Sequence, residues 1–334
     1  MASSWTPKER LERLLSGVAV DRPPVALWRH FPVDDQRARD LAESHVRFCR
    51  AYGWDLLKVS PAASYPLLAW GLQDEWRGDV WGRRFITHRP IQRPEDWTRL
   101  TLPHPRQGAL GMTLDALGFI TDALGPQVPV VQTIFSPLIQ AKYLVGEDAL
   151  LVHMRRHPQA LLEGLSRITE ATMAYLEALA SVPVAGIFYA VQHAQYAWLS
   201  EEEYRRFGRP FDLALLEYAR ERFWLLMLHL HGQDIMFHLF TDYPVDIWHW
   251  HDRETSPTLA EALEQVPGVV CGGLHRETLH LGTPQQVQAE AREAYQQTQG
   301  RRWMLGTGCV LALTTPEGNL RAARQAVESF LGEA

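Results

Sequence analysis

Eight short apolar runs recur along this chain of 334 residues, and each run ends in polar or turn-forming residues. The runs are too short for helices and rich in β-branched and aromatic residues, which is typical of fully buried strands. We predict strands over 25–28, 56–59, 128–135, 184–190, 224–230, 245–250, 269–274 and 303–305. Segments with helical periodicity separate them, for example 148–180 and 283–299.

Alternation of buried strands with helices indicates a parallel sheet, and eight units in one chain favour a closed (β/α)8 TIM barrel over an open doubly wound sheet. No G-x-G-x-x-G follows the first strand, so the main argument for a dinucleotide-binding fold is missing. We therefore predict an α/β protein in which residues 1–334 form a single barrel domain. The stretch 60–121 is longer than one crossover needs, and we predict an elaborated loop region after strand two, over the barrel mouth.

Charge and cysteine content exclude several classes of function. Lys plus Arg number 33 against 39 Asp plus Glu, without a basic run, so we expect no nucleic-acid partner. The N-terminal segment is charged and amphipathic, and no stretch reaches the roughly 18 apolar residues of a membrane span, so we expect neither a signal peptide nor a membrane segment. The three scattered cysteines, Cys49, Cys271 and Cys309, suit a reducing cytoplasm.

Barrel enzymes build their sites from residues at the carboxyl ends of the strands, and in this chain those positions are polar and rich in histidine. The candidates are Arg29, His30, Tyr143, Tyr189, Gln192, His193, His249, His251 and His275. We expect Arg29 and His30 to bind an anionic group and His193 to orient the substrate together with Gln192. For any single histidine, a satisfied polar residue at the barrel rim is the alternative.

A possible metal site follows the fifth predicted strand. Residues two apart in a strand point to the same face, so His229 and His231 both project toward the barrel interior. Cys309 follows the eighth strand in Gly306-Thr307-Gly308-Cys309, where the glycines let the backbone turn. Two imidazoles and a thiolate leave a fourth tetrahedral position free, as in catalytic zinc sites. The alternatives are a pair of core histidines and a small buried cysteine.

The sixth predicted strand ends in a second histidine pair, His249 and His251. The same period of two places both on one face, where either could act as acid or base or could orient a metal ligand. His251 is our candidate for the acid or base. Aromatic packing around Trp248 and Trp250 is the alternative.

Several segments together resemble the uroporphyrinogen decarboxylase superfamily, and the match runs nearly end to end. They are TPKER (6–10), DRPP (21–24), WR (28–29), GWD (53–55), TIFSPL (133–138), GGL (272–274), LGTGC (305–309), TP (315–316) and NL (319–320). The resemblance implies a single (β/α)8 barrel. It also implies either decarboxylation in the heme pathway or zinc-dependent transfer of methyl groups from corrinoid proteins to thiols.

The decarboxylase pattern fits this chain poorly. Arg29 matches the first of its two arginines, but 30–35 holds no second one. Ser60 and Pro61 stand where its aspartate belongs, and Thr307 replaces its histidine on strand eight. Tyr143 is similar to its substrate tyrosine. Uroporphyrinogen decarboxylation is therefore our second hypothesis.

The methyltransferase pattern fits better. The resemblance implies zinc ligands from a His-x-Cys after strand five and a Gly-Cys after strand eight. These match His229, His231 in place of the cysteine, and Cys309. The imidazole makes the site less negative, so a bound thiol would be less strongly activated.

Our first hypothesis is accordingly a zinc enzyme that transfers a methyl or alkyl group on a small substrate. The resemblance implies a corrinoid as methyl donor, a corrinoid protein as partner and a homodimer as the assembly. A non-catalytic protein that binds a corrinoid or another tetrapyrrole is the third hypothesis.

Overall fold

A computed structural model describes residues 5–330 of the chain. Its helices are α1 (Pro7–Leu15), α2 (Ala38–Tyr52), α3 (Gly108–Leu124), α4 (Pro137–Val145), α5 (Glu147–Arg156), α6 (Pro158–Leu179), α7 (Glu201–Phe207), α8 (Arg209–Arg220), α9 (Leu259–Gln265), α10 (Arg276–Leu281), α11 (Pro284–Thr298) and α12 (Glu317–Glu328). Its strands are β1 (Leu57–Val59), β2 (Gln73–Trp76), β3 (Arg84–His88), β4 (Val130–Phe135), β5 (Gly186–Val191), β6 (Leu225–Leu230), β7 (Ile247–Trp250), β8 (Val269–Leu274) and β9 (Trp303–Thr307).

The core of the fold is a curled parallel sheet of seven strands in the order β1-β4-β5-β6-β7-β8-β9. Every residue of these strands is buried, which is why the strands are continuous apolar runs rather than alternating ones. Crossover connections join consecutive strands of the sheet, as parallel pairing requires. Each connection contains an α-helix except that between β6 and β7, which contains the short 3-10 helix Phe237–Phe240. The parallel α/β architecture and seven of the eight predicted strands are therefore confirmed.

The first predicted strand, 25–28, is reduced to one parallel bridge between Val25 and Leu305. The Ala26 N–H donates to the Leu305 carbonyl at 3.2 Å, and the Asp55 N–H donates to the Val25 carbonyl at 2.9 Å. The segment thus touches β9 on one side and the turn before β1 on the other. Pro23 and Pro24 precede it and have no N–H to donate, so a longer ladder cannot form there.

The stretch 60–121 contains more regular secondary structure than the predicted loop region. It contains an antiparallel hairpin of β2 and β3, and from Gly108 onward it is helix α3. Leu110, Leu114 and Leu117 are buried at helical spacing, and this apolar face outweighs the glycines that interrupt the sequence pattern. The predicted helical segment 148–180 is two helices, α5 and α6, because Pro158 begins a new one.

A buried ion network lies at the amino-terminal end of β1, and we call it the Asp55 network. Asp55 accepts hydrogen bonds from Arg10 at 2.6 Å, from Arg22 at 2.7 and 3.0 Å, and from the Val25 N–H at 2.9 Å. Arg10 also bonds both carboxylate oxygens of Asp21. Because α1 supplies Arg10, this network fixes the N-terminal helix to the sheet.

In the described part of the chain, no helix combines the length and apolarity that crossing a membrane would demand.

Candidate metal centre

Three imidazoles and a thiol converge at the carboxyl ends of β6, β7 and β9, and we call them the four-residue cluster: His229, His231, His251 and Cys309. Their nearest ligand atoms all lie within 4.8 Å of one another. Cys309 Sγ is 3.8 Å from His229 Nε2 and 3.6 Å from His231 Nδ1. His251 Nε2 is 3.2 Å from His231 Nδ1. The predicted convergence of His229, His231 and Cys309 is thus present, and His251 joins them.

The spacing of these atoms fits a tetrahedral metal site. Zinc binds sulfur at about 2.3 Å and nitrogen at about 2.0–2.1 Å, which places tetrahedral ligand atoms about 3.4–3.6 Å apart. Three of the separations, 3.2, 3.6 and 3.8 Å, bracket that range, and all of them lie within 4.8 Å. Three borderline nitrogen donors and one soft sulfur donor also suit zinc chemically.

The charge balance within the cluster favours a thiolate. Burial alone would raise the pKa of the Cys309 thiol, but hydrogen bonds with His229, His231 and His251 hold it well below its usual value. Burial lowers the pKa of His229 to about 4, so this imidazole is neutral and can donate its lone pair. Burial would also lower the pKa of His251, but its interactions with Cys309 and Glu254 raise it to about 9.

Glycines let the strand that carries Cys309 approach its neighbours. A Cβ at Gly306 would lie 2.6 Å from Cys271 Sγ, and a Cβ at Gly308 would lie 2.9 Å from the His251 Cα. Neither glycine has a positive φ. These glycines are therefore needed because neighbouring segments approach closely, and not because the backbone makes the sharp turn that the sequence suggested.

A pocket of about 500 Å³ opens above the cluster. His229, His231 and Cys309 line it together with three further predicted residues, His30, Tyr143 and Gln192. A volume of this size suits a small substrate.

Two predicted histidines lie beneath or beside the pocket without lining it. His249 is fully buried, and its Nε2 lies 2.6 Å from the Thr307 carbonyl while its ring packs 4.7 Å from that of His229. Burial and the neighbouring His229 hold its pKa well below the usual value. His193 is also buried, and burial lowers its pKa to about 3. His249 therefore does not line the pocket, and its imidazole packs under the cluster.

Three other predicted residues do not line the pocket. Tyr189 lies between Phe188 and Ala190, which both line the pocket, so the strand period turns the tyrosine outward. Its hydroxyl donates to Asp212 at 2.6 Å inside the layer between sheet and helices.

Arg29 follows the same parity, because Trp28 and His30 on either side line the pocket. Arg29 instead donates to the Leu313 carbonyl at 3.2 Å. His275 is the N-cap residue of α10 and its backbone N–H donates to Glu290. Arg29, Tyr189 and His275 therefore do not line the pocket: the side chains of Arg29 and Tyr189 bond elsewhere, and His275 begins α10.

Lys58 is a pocket residue that the sequence interpretation left without a role. Its ammonium donates to Ser60 Oγ at 3.0 Å and lies 4.7 Å from the centre of the Phe188 ring. Burial lowers its pKa to about 8. A lysine inside an otherwise apolar strand was the signal that could have revealed it, because lysine is rarely buried without a reason.

Further basic residues line the same pocket. They are Arg83, Arg84, Arg89 and Lys142. Arg83 and Arg84 pair with Asp79 and Asp74. The remaining two and Lys58 form no ion pair with a carboxylate in the described structure. The pocket is therefore cationic in a chain whose net charge is −6.

The profile of the uroporphyrinogen decarboxylase (URO-D) family matches residues 6–330. The chain is 21% identical to the methylcobamide:CoM methyltransferase MtbA of Methanosarcina acetivorans, with 98% of this chain and 99% of that protein covered. It is 22% identical to the protein of the same name from Methanosarcina mazei, with the same coverage.

Solved structures agree on the fold. A methyltransferase from Methanosarcina mazei superposes with a TM-score of 0.84 at 21% identity, covering 98% of this chain and 99% of that one. A B12-independent methionine synthase from Shewanella sp. W3-18-1 follows with a TM-score of 0.58 at 13% identity, covering 92% and 95%. The chain belongs to the uroporphyrinogen decarboxylase family, and its homologues include corrinoid-dependent methyltransferases.

Proposed function

We propose that this protein transfers a methyl group from a corrinoid to a small acceptor, with zinc held by the four-residue cluster at the floor of the pocket. The observation that supports the proposal most directly is the approach of Cys309 Sγ to two imidazoles at 3.6 and 3.8 Å beside a pocket. The names of its relatives supply the reaction class, since MtbA is a methylcobamide:CoM methyltransferase.

The residues present fit such a metal in donor type and spacing. His229, His231, Cys309 and His251 would hold the zinc, which when bound supplies a Lewis acid. Because four protein donors complete a tetrahedral site, an acceptor thiol would bind as a fifth ligand or in place of one of the four, and the metal would lower its pKa. His231 and Cys309 are less buried than His229 and line the pocket, so the acceptor would enter from their side. His251 thereby moves from the predicted role of acid or base to that of a donor to the metal.

The other pocket residues would position the acceptor. Tyr143 and Gln192 offer a hydroxyl and an amide for hydrogen bonds. Lys58, Arg89 and Lys142 take over the anion-binding role that the sequence suggested for Arg29 and His30. They would hold an anionic group on the acceptor, because they line the pocket and none of them forms a close ion pair with a carboxylate among the described residues, although Glu147 lies near Arg89 and Lys142.

The reaction balances with a thiol acceptor. The carbon–cobalt bond breaks and leaves both electrons on cobalt, the methyl group bonds to sulfur, and the thiol proton is released. An intact cobamide is larger than the pocket, so a corrinoid protein would present only its methyl-bearing face at the opening.

We also propose that residues 25–28 complete the sheet as an eighth, short strand of a closed barrel, with the β2–β3 hairpin over its mouth. Their hydrogen bonds to Leu305 and Asp55 support this. Slow hydrogen exchange of the Ala26 amide, comparable with that of the Leu305 amide, would test it; fast exchange of Ala26 alone would contradict closure.

The function is tested by metal analysis and by a methyl-transfer assay on the purified protein. We expect about one zinc per chain and loss of the methyl–cobalt absorption bands when methylcobalamin and a thiol are supplied. Cys309→Ala should abolish both zinc binding and transfer, while Cys49→Ala, which changes a buried cysteine outside the cluster, should retain both. Zinc binding and transfer that survive in Cys309→Ala would overturn the proposal.

A further inference from the structure

Two polar residues, Glu254 and Arg276, support His251 of the four-residue cluster on the side away from the other ligand atoms. His251 presents Nε2 to the cluster, 3.2 Å from His231 Nδ1, and its other ring nitrogen, Nδ1, lies 3.2 Å from Glu254 Oε2. A carboxylate can only accept, so Nδ1 carries the hydrogen. In the neutral ring the lone pair is then on Nε2, the atom that faces the cluster.

The carboxylate of Glu254 is itself held in place. Arg276 donates from Nε to Oε1 at 3.1 Å and from Nη2 to Oε2 at 3.3 Å, which is a forked contact. The Glu254 backbone N–H donates to the His251 carbonyl at 2.8 Å, so the turn after β7 folds the glutamate back beneath the imidazole. The side chains of Glu254 and Arg276 are only 16% and 21% exposed.

The arginine is also fixed by the hairpin region. Its guanidinium lies 5.0 Å from the centre of the Trp81 ring, in the connection between β2 and β3. The chain Trp81, Arg276, Glu254 and His251 therefore draws on three separate parts of the sequence. A rotation of His251 would have to break several contacts at once.

The other two imidazoles of the cluster lack such support among the described residues. His229 Nδ1 is buried and has no hydrogen-bond partner. His231 contacts Cys309 and His251, and no carboxylate lies within hydrogen-bond distance of it. Only His251 has a carboxylate that fixes its tautomer.

We infer that Glu254 and Arg276 are positioning residues that present His251 Nε2 as the fourth donor to the metal. The inference rests on the proposed zinc site and adds the residues that complete it. A carboxylate behind a metal-ligating imidazole fixes the ring and makes it a better donor, and loss of such a partner typically weakens metal binding about 10- to 100-fold.

The test measures zinc affinity by competition with a chromophoric chelator, on protein that has been stripped of metal. Glu254→Gln keeps the shape of the side chain and should weaken zinc binding about 10- to 100-fold. Arg276→Met should weaken it less, because Glu254 remains. The matched controls, Glu317→Gln and Arg321→Met, remove an exposed ion pair on α12 and should leave the affinity unchanged.

A double-mutant cycle separates this role from general loss of structure. His251→Ala should weaken zinc binding, and Glu254→Gln should then add no further loss in the His251→Ala background. The ligand-field spectrum of the Co²⁺-substituted protein should change in Glu254→Gln and resemble that of His251→Ala. Equal losses from Glu254→Gln in both backgrounds, or an unchanged affinity in Glu254→Gln, would overturn the inference.

The outcomes also distinguish this inference from the proposed function. If wild-type protein binds no zinc, both the proposed function and this inference are overturned. If wild type binds zinc and transfers methyl groups, and Glu254→Gln has the same zinc affinity and Co²⁺ spectrum, only the positioning role is overturned.

Discussion

Two buried polar clusters occupy opposite ends of the sheet, and they differ in how completely their atoms are paired. At the amino-terminal end, Asp55 accepts four hydrogen bonds from two arginines and a backbone amide. At the carboxyl end, the four-residue cluster contains His229, whose Nδ1 has no partner, above His249, whose Nδ1 has none either.

The difference indicates what each cluster is for. Buried polar groups are normally satisfied, and those that are not usually have a functional reason. In the Asp55 network opposite charges pair and join α1 to the sheet, so the network contributes to folding. The four-residue cluster gathers three imidazoles and a thiol beside a pocket and leaves His229 Nδ1 without a partner, an arrangement that a bound cation would explain. We therefore expect substitutions in the first to change stability and substitutions in the second to change chemistry.

The largest expected effect on stability is that of Asp55→Asn. Removing the charge leaves Arg10 and Arg22 buried without their shared partner, which should lower the free energy of unfolding by about 3–5 kcal/mol. Zinc binding per folded molecule should not change. Chemical denaturation checks this, with Asp242→Asn as the control because its side chain is 67% exposed. If Asp55→Asn lowers the free energy of unfolding by less than about 1 kcal/mol, the Asp55 network does not have the stabilising role that we contrast with the four-residue cluster.

The second prediction concerns Lys58 and pH. Burial lowers the pKa of Lys58 to about 8 from 10.5, so the unfolded chain binds the proton more tightly than the folded one. Its contribution to stability is complete above pH 10.5 and is lost as the pH falls through 8.

Metal-free wild-type protein should therefore gain about 2 kcal/mol relative to Lys58→Met between pH 8 and pH 10. Lys58→Arg keeps a charge that cannot be removed in this range and should lack the gain. If the free energy of unfolding changes equally with pH in wild type and in Lys58→Met across this window, Lys58 titrates normally.

The third prediction contrasts two tyrosines on either side of the sheet. Tyr189→Phe removes a hydrogen bond to the buried Asp212 and should cost about 1.5 kcal/mol of stability without changing kcat/KM for methyl transfer. Tyr143→Phe should do the reverse, with stability nearly unchanged and kcat/KM lowered about tenfold, which corresponds to about 1.4 kcal/mol. Equal effects of both variants on kcat/KM would place Tyr189 in the site after all.

The smallest expected effect on stability is that of Cys309→Ala in metal-free protein, which loses the hydrogen bonds between the sulfur and the imidazoles and should be less stable by about 1 kcal/mol. The thiol packs at the partly exposed edge of the pocket, so little buried surface is lost. Thermal unfolding with and without zinc checks this: wild type should gain stability from zinc, and the variant should not. A large loss without metal would make Cys309 a core residue.

Much of the architecture was predictable, because buried parallel strands are apolar throughout and stand out from the helices between them. Because these strands are apolar throughout, their sequences do not show which side chains face the barrel interior and which face the helices. In an alternating strand the pattern itself shows the parity, but 186–191 is uniformly buried, so Tyr189 could not be distinguished from Phe188 or Ala190. Arg29 poses the same problem, because its buried neighbours give no sign of which of Trp28, Arg29 and His30 face the pocket.

The site was predictable only in part. The spacing of His229 and His231 and the glycines before Cys309 predicted three converging groups, and the structure brings these groups together. Glu254 and Arg276 carried no signal, since a carboxylate and a guanidinium 22 residues apart look like ordinary surface charges.

The order of apolar runs along the chain determines the parallel sheet, because burying both faces of each strand requires helices between them. It also supplies the imidazoles and the thiol at strand ends. Tertiary structure alone decides that His251 joins His229, His231 and Cys309, that Lys58 faces the same pocket, and that Tyr189 does not. These relations depend on the register between neighbouring strands and on the curl of the sheet, and both arise from contacts between residues far apart in sequence.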